Sequence, residues 1–223
     1  MEPKLSSVTL LFAIFMLFSI SCSNSLTGSE SDIIDSLAPV EDVHPITGGE
    51  NVTITVNRNH TVAYFNVGFS NVRTNNVIGN GTFESWCIDW KKPIDSNNGT
   101  YNGIQLYSTD RVEKWKPVNY LLNIKNILKE KDPELSWREF QIVVWTLRSN
   151  PEFNLNKIAV EELPASFRTT DGKANFNYEK VEEILSIVKI GYKDFDYSAG
   201  TKFAVIAETP ADVQTVFVVA EKR

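Results

Sequence analysis

Alternation of apolar and polar positions opens the patterned part of the chain. Val52, Ile54 and Val56 fall on one side and Thr53, Thr55 and Asn57 on the other, the period-two signature of a half-buried strand. Arg58-Asn59-His60 supplies a turn, and residues 61–72 are β-rich (Val62, Tyr64, Phe65, Val67, Phe69), so the pair reads as a hairpin. Asn75-Asn76 and Gly79-Asn80-Gly81 make a polar loop ahead of a third strand over 82–90. Asp95-Ser96-Asn97-Asn98-Gly99 is a turn cluster ahead of a short strand over 101–107.

The period then lengthens. Pro117 suits the first helical position, and Val118, Leu121, Leu122 and Leu128 continue at helical spacing to Lys131, where Asp132-Pro133 ends the run. A second helix has the clearest start signal: Ser136 as N-cap with Glu139 three residues on, a capping box. Phe140, Val143, Val144 and Leu147 form its apolar face, and Asn150-Pro151 stops it. Residues 155–172 read as irregular, and Val181, Ile184, Leu185 and Val188 mark a third helix over 178–189. Two strands, 202–208 and 213–220, close the chain around Thr209-Pro210-Ala211-Asp212. Strands, then helices, then strands predict an α+β fold: a β-barrel or sandwich with a helical insertion between early and late strands.

Residues 5–20 form an apolar run behind Lys4, with the shape of a signal-peptide core. It ends at Ser19-Ile20-Ser21-Cys22, which resembles a bacterial lipoprotein processing site with Cys22 as the lipidated residue; a plain secretory signal is the alternative. The expected organisation is therefore a signal over 1–22, a disordered spacer rich in Ser, Asp and Glu over 23–45, and one domain over 46–223. That places the domain outside the cytosol, at the cell surface, with membrane contact only through an N-terminal lipid. The 42% hydrophobic content supports a core of ordinary size. A net charge of -6 argues against nucleic acid or anionic lipid as the main partner. Asn-x-Thr triplets begin at Asn51, Asn59, Asn80 and Asn98, acceptors for glycosylation in a eukaryote.

Export changes how the cysteines read. Exported proteins usually pair their cysteines, and Cys22 is unsuited to pairing if it is lipidated or removed, which leaves Cys87 alone. Cys87 lies in the aromatic run Phe83-Glu84-Ser85-Trp86-Cys87-Ile88-Asp89-Trp90, and Gln141 projects beside Val144 and Trp145, one turn into the second helix. A thiol held against a carboxamide can expel ammonia and leave an internal thioester, with proximity supplying several kcal/mol. Trp86, Trp90, Trp137 and Trp145 could shield such a bond from water. Attack by an amine or hydroxyl would leave the partner joined to Gln141 and release Cys87.

Here the residues resemble a family. Trp86-Cys87-Ile88, followed much later by Phe140-Gln141-Ile142-Val143-Val144-Trp145, is similar to the two blocks of bacterial surface thioester domains, and Val118-Asn119-Tyr120-Leu121-Leu122-Asn123 between them looks like a helix of that family. Val143 stands where the family often has Ala, and the anchor is an N-terminal lipid site instead of a wall-sorting signal. The resemblance implies an adhesin-like module with a Cys87–Gln141 thioester shielded by Trp86, Trp137 and Trp145. It implies single-turnover capture of a surface protein or glycan carrying an amine or hydroxyl, neither enzymatic turnover nor cofactor being expected. Other constellations are weaker. Cys87 with His44 or His60 would suit a cysteine hydrolase, and Asp95 with Asn97 and Asn98 a calcium loop without EF-hand spacing. With two histidines and no cysteine cluster, no transition-metal site is expected. The alternative of a different class is a non-covalent β-rich module that binds glycan or protein through aromatics such as Tyr64, Phe69, Trp90, Tyr101 and Trp115.

Overall fold

A computed structural model describes residues 40–148 and 152–222 of the chain. The signal segment, Cys22, most of the expected spacer and the Asn150-Pro151 stop lie outside those residues. The order is β1 (His44–Pro45), β2 (Val52–Arg58), β3 (Phe65–Ser70), β4 (Gly81–Cys87), β5 (Asn97–Ser108), α1 (Lys116–Lys131), α2 (Trp137–Arg148), α3 (Tyr178–Gly191), β6 (Lys202–Glu208) and β7 (Val216–Glu221). The protein is α+β. Its strands run β5-β2-β3-β4-β7-β6 in antiparallel register, and β6 returns to pair with β5, closing a six-stranded barrel with β1 as an extra strand on β5. The helices form a single insertion between β5 and β6.

Closure depends on β5. Its first half pairs with β2 and its last four residues, Gln105 to Ser108, pair with β6. The register slips between Val52/Ile54, and Gly103, opposite that slip, has φ +71°. A bulge with a left-handed glycine bends the strand and steepens its twist, which lets one strand serve two neighbours.

Burial divides the barrel into two sides. β2 and β3 alternate buried and part-exposed positions, so their outer face meets water. β6 is buried at every interior position, as a strand must be when barrel core lies on one side and helices on the other. α1 packs on β6 and α2 on β4. The buried Asn119 fastens α1: its Oδ1 accepts from the Ala204 N–H and the Thr109 hydroxyl, each at 3.0 Å, and its Nδ2 donates to the Thr109 carbonyl.

Several boundaries differ from the sequence expectation for local reasons. His44–Pro45 pairs with Tyr107 and Ser108, so the expected spacer ends within the sheet. β3 starts at Phe65 instead of 61 because the Asn59 side chain accepts from the Thr61 and Val62 N–H groups and holds them in a turn. The cluster at 95–99 is a turn that passes straight into β5, with Asn97 N–H donating to Asp95 Oδ1. A side chain at Gly99 would lie 2.2 Å from the Asp95 carbonyl oxygen, so only glycine fits there.

The capping box is present and does more than cap. Glu139 Oε2 accepts from the Ser136 N–H and hydroxyl (2.9 and 2.7 Å), Ser136 Oγ accepts from the Arg138 N–H, and Glu139 Oε1 accepts from the Asn177 N–H at 2.9 Å. One buried carboxylate thus fixes the start of α2 and the residue that caps α3. Glu139→Ala should lower stability by about 2–3 kcal/mol, because it removes a cap and strands a buried N–H. Urea unfolding checks this; a midpoint equal to wild type would contradict it.

Candidate functional site

β4 loses one neighbour before it ends. β3 pairs with it as far as Phe65 opposite Ser85, whereas β7 continues to Val216 opposite Cys87. The Ile88 N–H reaches the Thr215 carbonyl, which makes Cys87–Val216 a non-hydrogen-bonded pair and turns the Cys87 main-chain groups towards the side that β3 has vacated. Gln141 fills that place. Its Oε1 accepts from the Cys87 N–H and its Nε2 donates to the Cys87 carbonyl, both at 2.9 Å and both fully buried. The side-chain amide thus acts as one residue of a missing strand.

Gln141 therefore meets Cys87 as expected, but through the main chain and with both ends of its amide used. The side chain against the sulfur is Gln214: Cys87 Sγ lies 2.9 Å from Gln214 Oε1. Gln214 precedes Val216 by two positions, so it shares a strand face with it and sits diagonally from Cys87, within reach of a long side chain. Its main chain is pinned, since the Gln214 N–H donates to the Pro93 carbonyl and the Thr215 N–H to Asp89 Oδ2, each at 2.9 Å. Asp89 is fully buried; its Oδ2 also lies 3.4 Å from Lys92 Nζ, and its Oδ1 meets no hydrogen-bond partner among the described residues. The sequence held one clue to Gln214. It is the polar residue in phase with the buried Val216 and Val218 of an otherwise apolar strand.

Gln214 lines a cleft of about 910 Å³, together with Tyr64, Trp90, His60 and Arg138. Aromatic rings form the wall behind it. Trp137 stacks on His60 at 4.4 Å and on Tyr64 at 5.1 Å, and Trp145 meets the edge of Tyr64 and tilts against Phe153 and Phe167. Phe153 in turn meets Trp90. Of the residues expected to shield the site, Trp137 and Trp145 stand in this wall. Trp86 instead packs on Phe140, 5.2 Å from Lys125 Nζ, on the neighbouring β4 position. Tyr64, named in the sequence as a strand aromatic, joins this wall, and Phe153 and Phe167 are additions that periodicity did not single out. His44 is exposed in β1, and His60 contacts rings, not the sulfur. Among the described residues no group of three or more His, Cys, Asp or Glu could hold a metal ion.

Burial pushes the Cys87 thiol well above its usual value, and the charge of Asp89 adds to the shift. A protonated sulfur is a poor nucleophile, and burial here favours the neutral thiol over a resting thiolate. Burial likewise raises Tyr64 and, with Arg58 and Arg138 nearby, lowers His60.

No family model, curated protein or solved structure matches the chain.

Gln141→Leu keeps the bulk but leaves a buried N–H and a buried C=O at Cys87 without partners. A loss of about 3 kcal/mol is expected, larger than for a surface substitution on α2. An unfolding midpoint within error of wild type would show that the amide clamp is dispensable.

Proposed function

We propose that the domain is a cell-surface module that forms an internal thioester between Cys87 and Gln214 and uses it once, to capture a nucleophile-bearing partner. The observation that carries this reading is the Cys87 Sγ to Gln214 Oε1 contact of 2.9 Å, buried beneath a cleft that Gln214 itself lines. Gln141, in this reading, does not supply the acyl carbon; it positions Cys87 by holding both of its main-chain groups.

Formation joins the Cys87 sulfur to the Gln214 carbonyl carbon and breaks the carbon–nitrogen bond, and the thiol proton leaves with the ammonia. The pinned backbones of the two strands supply the proximity that an unstrained amide lacks. Capture then reverses the polarity of the site. An amine entering from the cleft bonds to the same carbon, the carbon–sulfur bond breaks, and the amine proton passes to the sulfur. Amide resonance makes the product more stable than the thioester it replaces, so capture is effectively irreversible. Sulfur departs into the protein while the nucleophile arrives from the opposite, solvent side. Export and a lipid at Cys22 would place this capture at the cell surface, consistent with the resemblance to surface thioester domains.

Methylamine tests the assignment of each glutamine. The purified protein should weigh one ammonia less than its sequence. Methylamine should add once, on Gln214 and not on Gln141, and one new thiol should be countable after denaturation. Cys87→Ala and Gln214→Ala should both keep the full sequence mass and take up no amine. In Gln214→Ala the thiol is present, yet alkylation at about pH 8 should wait on unfolding, because the native thiol stays protonated. A wild-type protein of full sequence mass that ignores methylamine would leave the non-covalent binding module as the surviving reading.

A further inference from the structure

The cleft over Gln214 is cationic on a protein whose net charge is -6. Three separate segments bring the charges together: Arg58 at the end of β2, Lys91 and Lys92 after β4, and Arg138 in the first turn of α2. Glu162 is the carboxylate in the lining, 3.7 Å from Lys91 Nζ. Lys92 is drawn towards the buried Asp89 beneath. The two arginines are not neutralised in this way. Arg58 Nε donates to the Ser96 hydroxyl at 2.9 Å, and Arg138 Nε donates to the Ser166 carbonyl at 2.7 Å while its guanidinium lies 4.5 Å from the Trp137 ring. Among the described residues neither makes an ion pair with a carboxylate, although the charge of the adjacent Glu139 acts on Arg138. Each is oriented by a neutral acceptor through Nε, and among the described residues the terminal N–H groups remain to serve an incoming anion. His60 registers the resulting field: after burial, Arg58 and Arg138 are what hold its pKa down. Cations beside an aromatic, low-dielectric wall focus such a field into the cleft.

We propose that this cleft docks an acidic segment of a partner protein, with partner carboxylates between Arg58 and Arg138, and so presents a lysine of that segment to the Gln214 carbonyl. The covalent step rests on the thioester reading above; the docking does not. An amine fits the site better than a glycan hydroxyl. A hydroxyl needs a general base at neutral pH, and the imidazole in the cleft, His60, is stacked on the Trp137 and Tyr64 rings, where burial also lowers its proton affinity. The new bond is amine nitrogen to the Gln214 carbon, the broken bond is carbon to sulfur, and the proton goes to Cys87.

Fluorescence anisotropy of the full chain carrying Cys87→Ala reads docking without chemistry. The probes are a labelled lysine peptide flanked by glutamates and the same peptide flanked by serines. The acidic peptide should bind about tenfold more tightly, and added salt should erode the difference. Arg58→Glu with Arg138→Glu should abolish the difference, whereas Lys173→Glu, on an exposed lysine outside the cleft lining, should preserve it. If the double variant loses its near-ultraviolet circular dichroism, Arg138→Gln replaces it and should reduce the preference. Equal binding of the two peptides overturns the docking proposal even where methylamine still labels Gln214. A retained preference in a chain that ignores methylamine overturns the thioester and leaves the docking intact. A sulfated oligosaccharide that displaces the acidic peptide and becomes ester-linked to Gln214 in the Cys87 protein would overturn the assignment of a protein partner.

Discussion

Two hydrogen bonds from one carboxamide hold the end of β4. Cys87 sits where the strand has lost β3 on one side and is about to leave β7 on the other, and its polar groups are fully buried there. Unsatisfied, they would cost about 1–3 kcal/mol each. Gln141 satisfies both, which ties the position of the sulfur to the position of α2. The position of α2 depends in turn on Glu139, whose carboxylate caps its first turn and anchors the start of α3. The helical insertion is thus connected to the barrel through one amide as well as through apolar packing.

The same constraint shapes the chemistry. A sulfur at the end of a strand, with its main chain clamped, has little freedom to move away from a cross-strand neighbour. Gln214 is held equally firmly by Pro93 and, through Thr215, by Asp89. Burial keeps the thiol neutral, and a thioester is neutral too, so neither state asks the core to solvate a charge. One buried charge, Asp89, lies near the sulfur, held by the Thr215 N–H and Lys92, and the cations Arg58, Lys91, Lys92 and Arg138 line the cleft.

Much of this was legible in the sequence, and the failures have physical causes. Alternation at Val52, Ile54 and Val56, the Ser136–Glu139 pair and the apolar stripe of 178–189 announced their elements because each is a local pattern. Barrel closure was not local: it depends on a bulge at Gly103 that lets β5 serve both β2 and β6. The juxtaposition of Cys87 and Gln141 was readable because each is a polar group set in an apolar run. Periodicity says which residues meet and not through which atoms, so it could not show that the Gln141 amide meets the Cys87 main chain through both of its hydrogen-bonding edges. Gln214 had a strand phase that placed it inward, hidden by its position beside a turn. The cationic cleft had no signal at all, because its charges come from segments far apart in sequence.

The central claim is the identity of the bond. Digestion of untreated protein at acid pH, where thioesters survive, followed by mass spectrometry, tests it most directly. The account predicts a linked pair of peptides, one containing Cys87 and the other Gln214, together one ammonia lighter than their sum. Separate, full-mass peptides containing Cys87 and Gln214, or a linked pair that contains Gln141 instead, would contradict it.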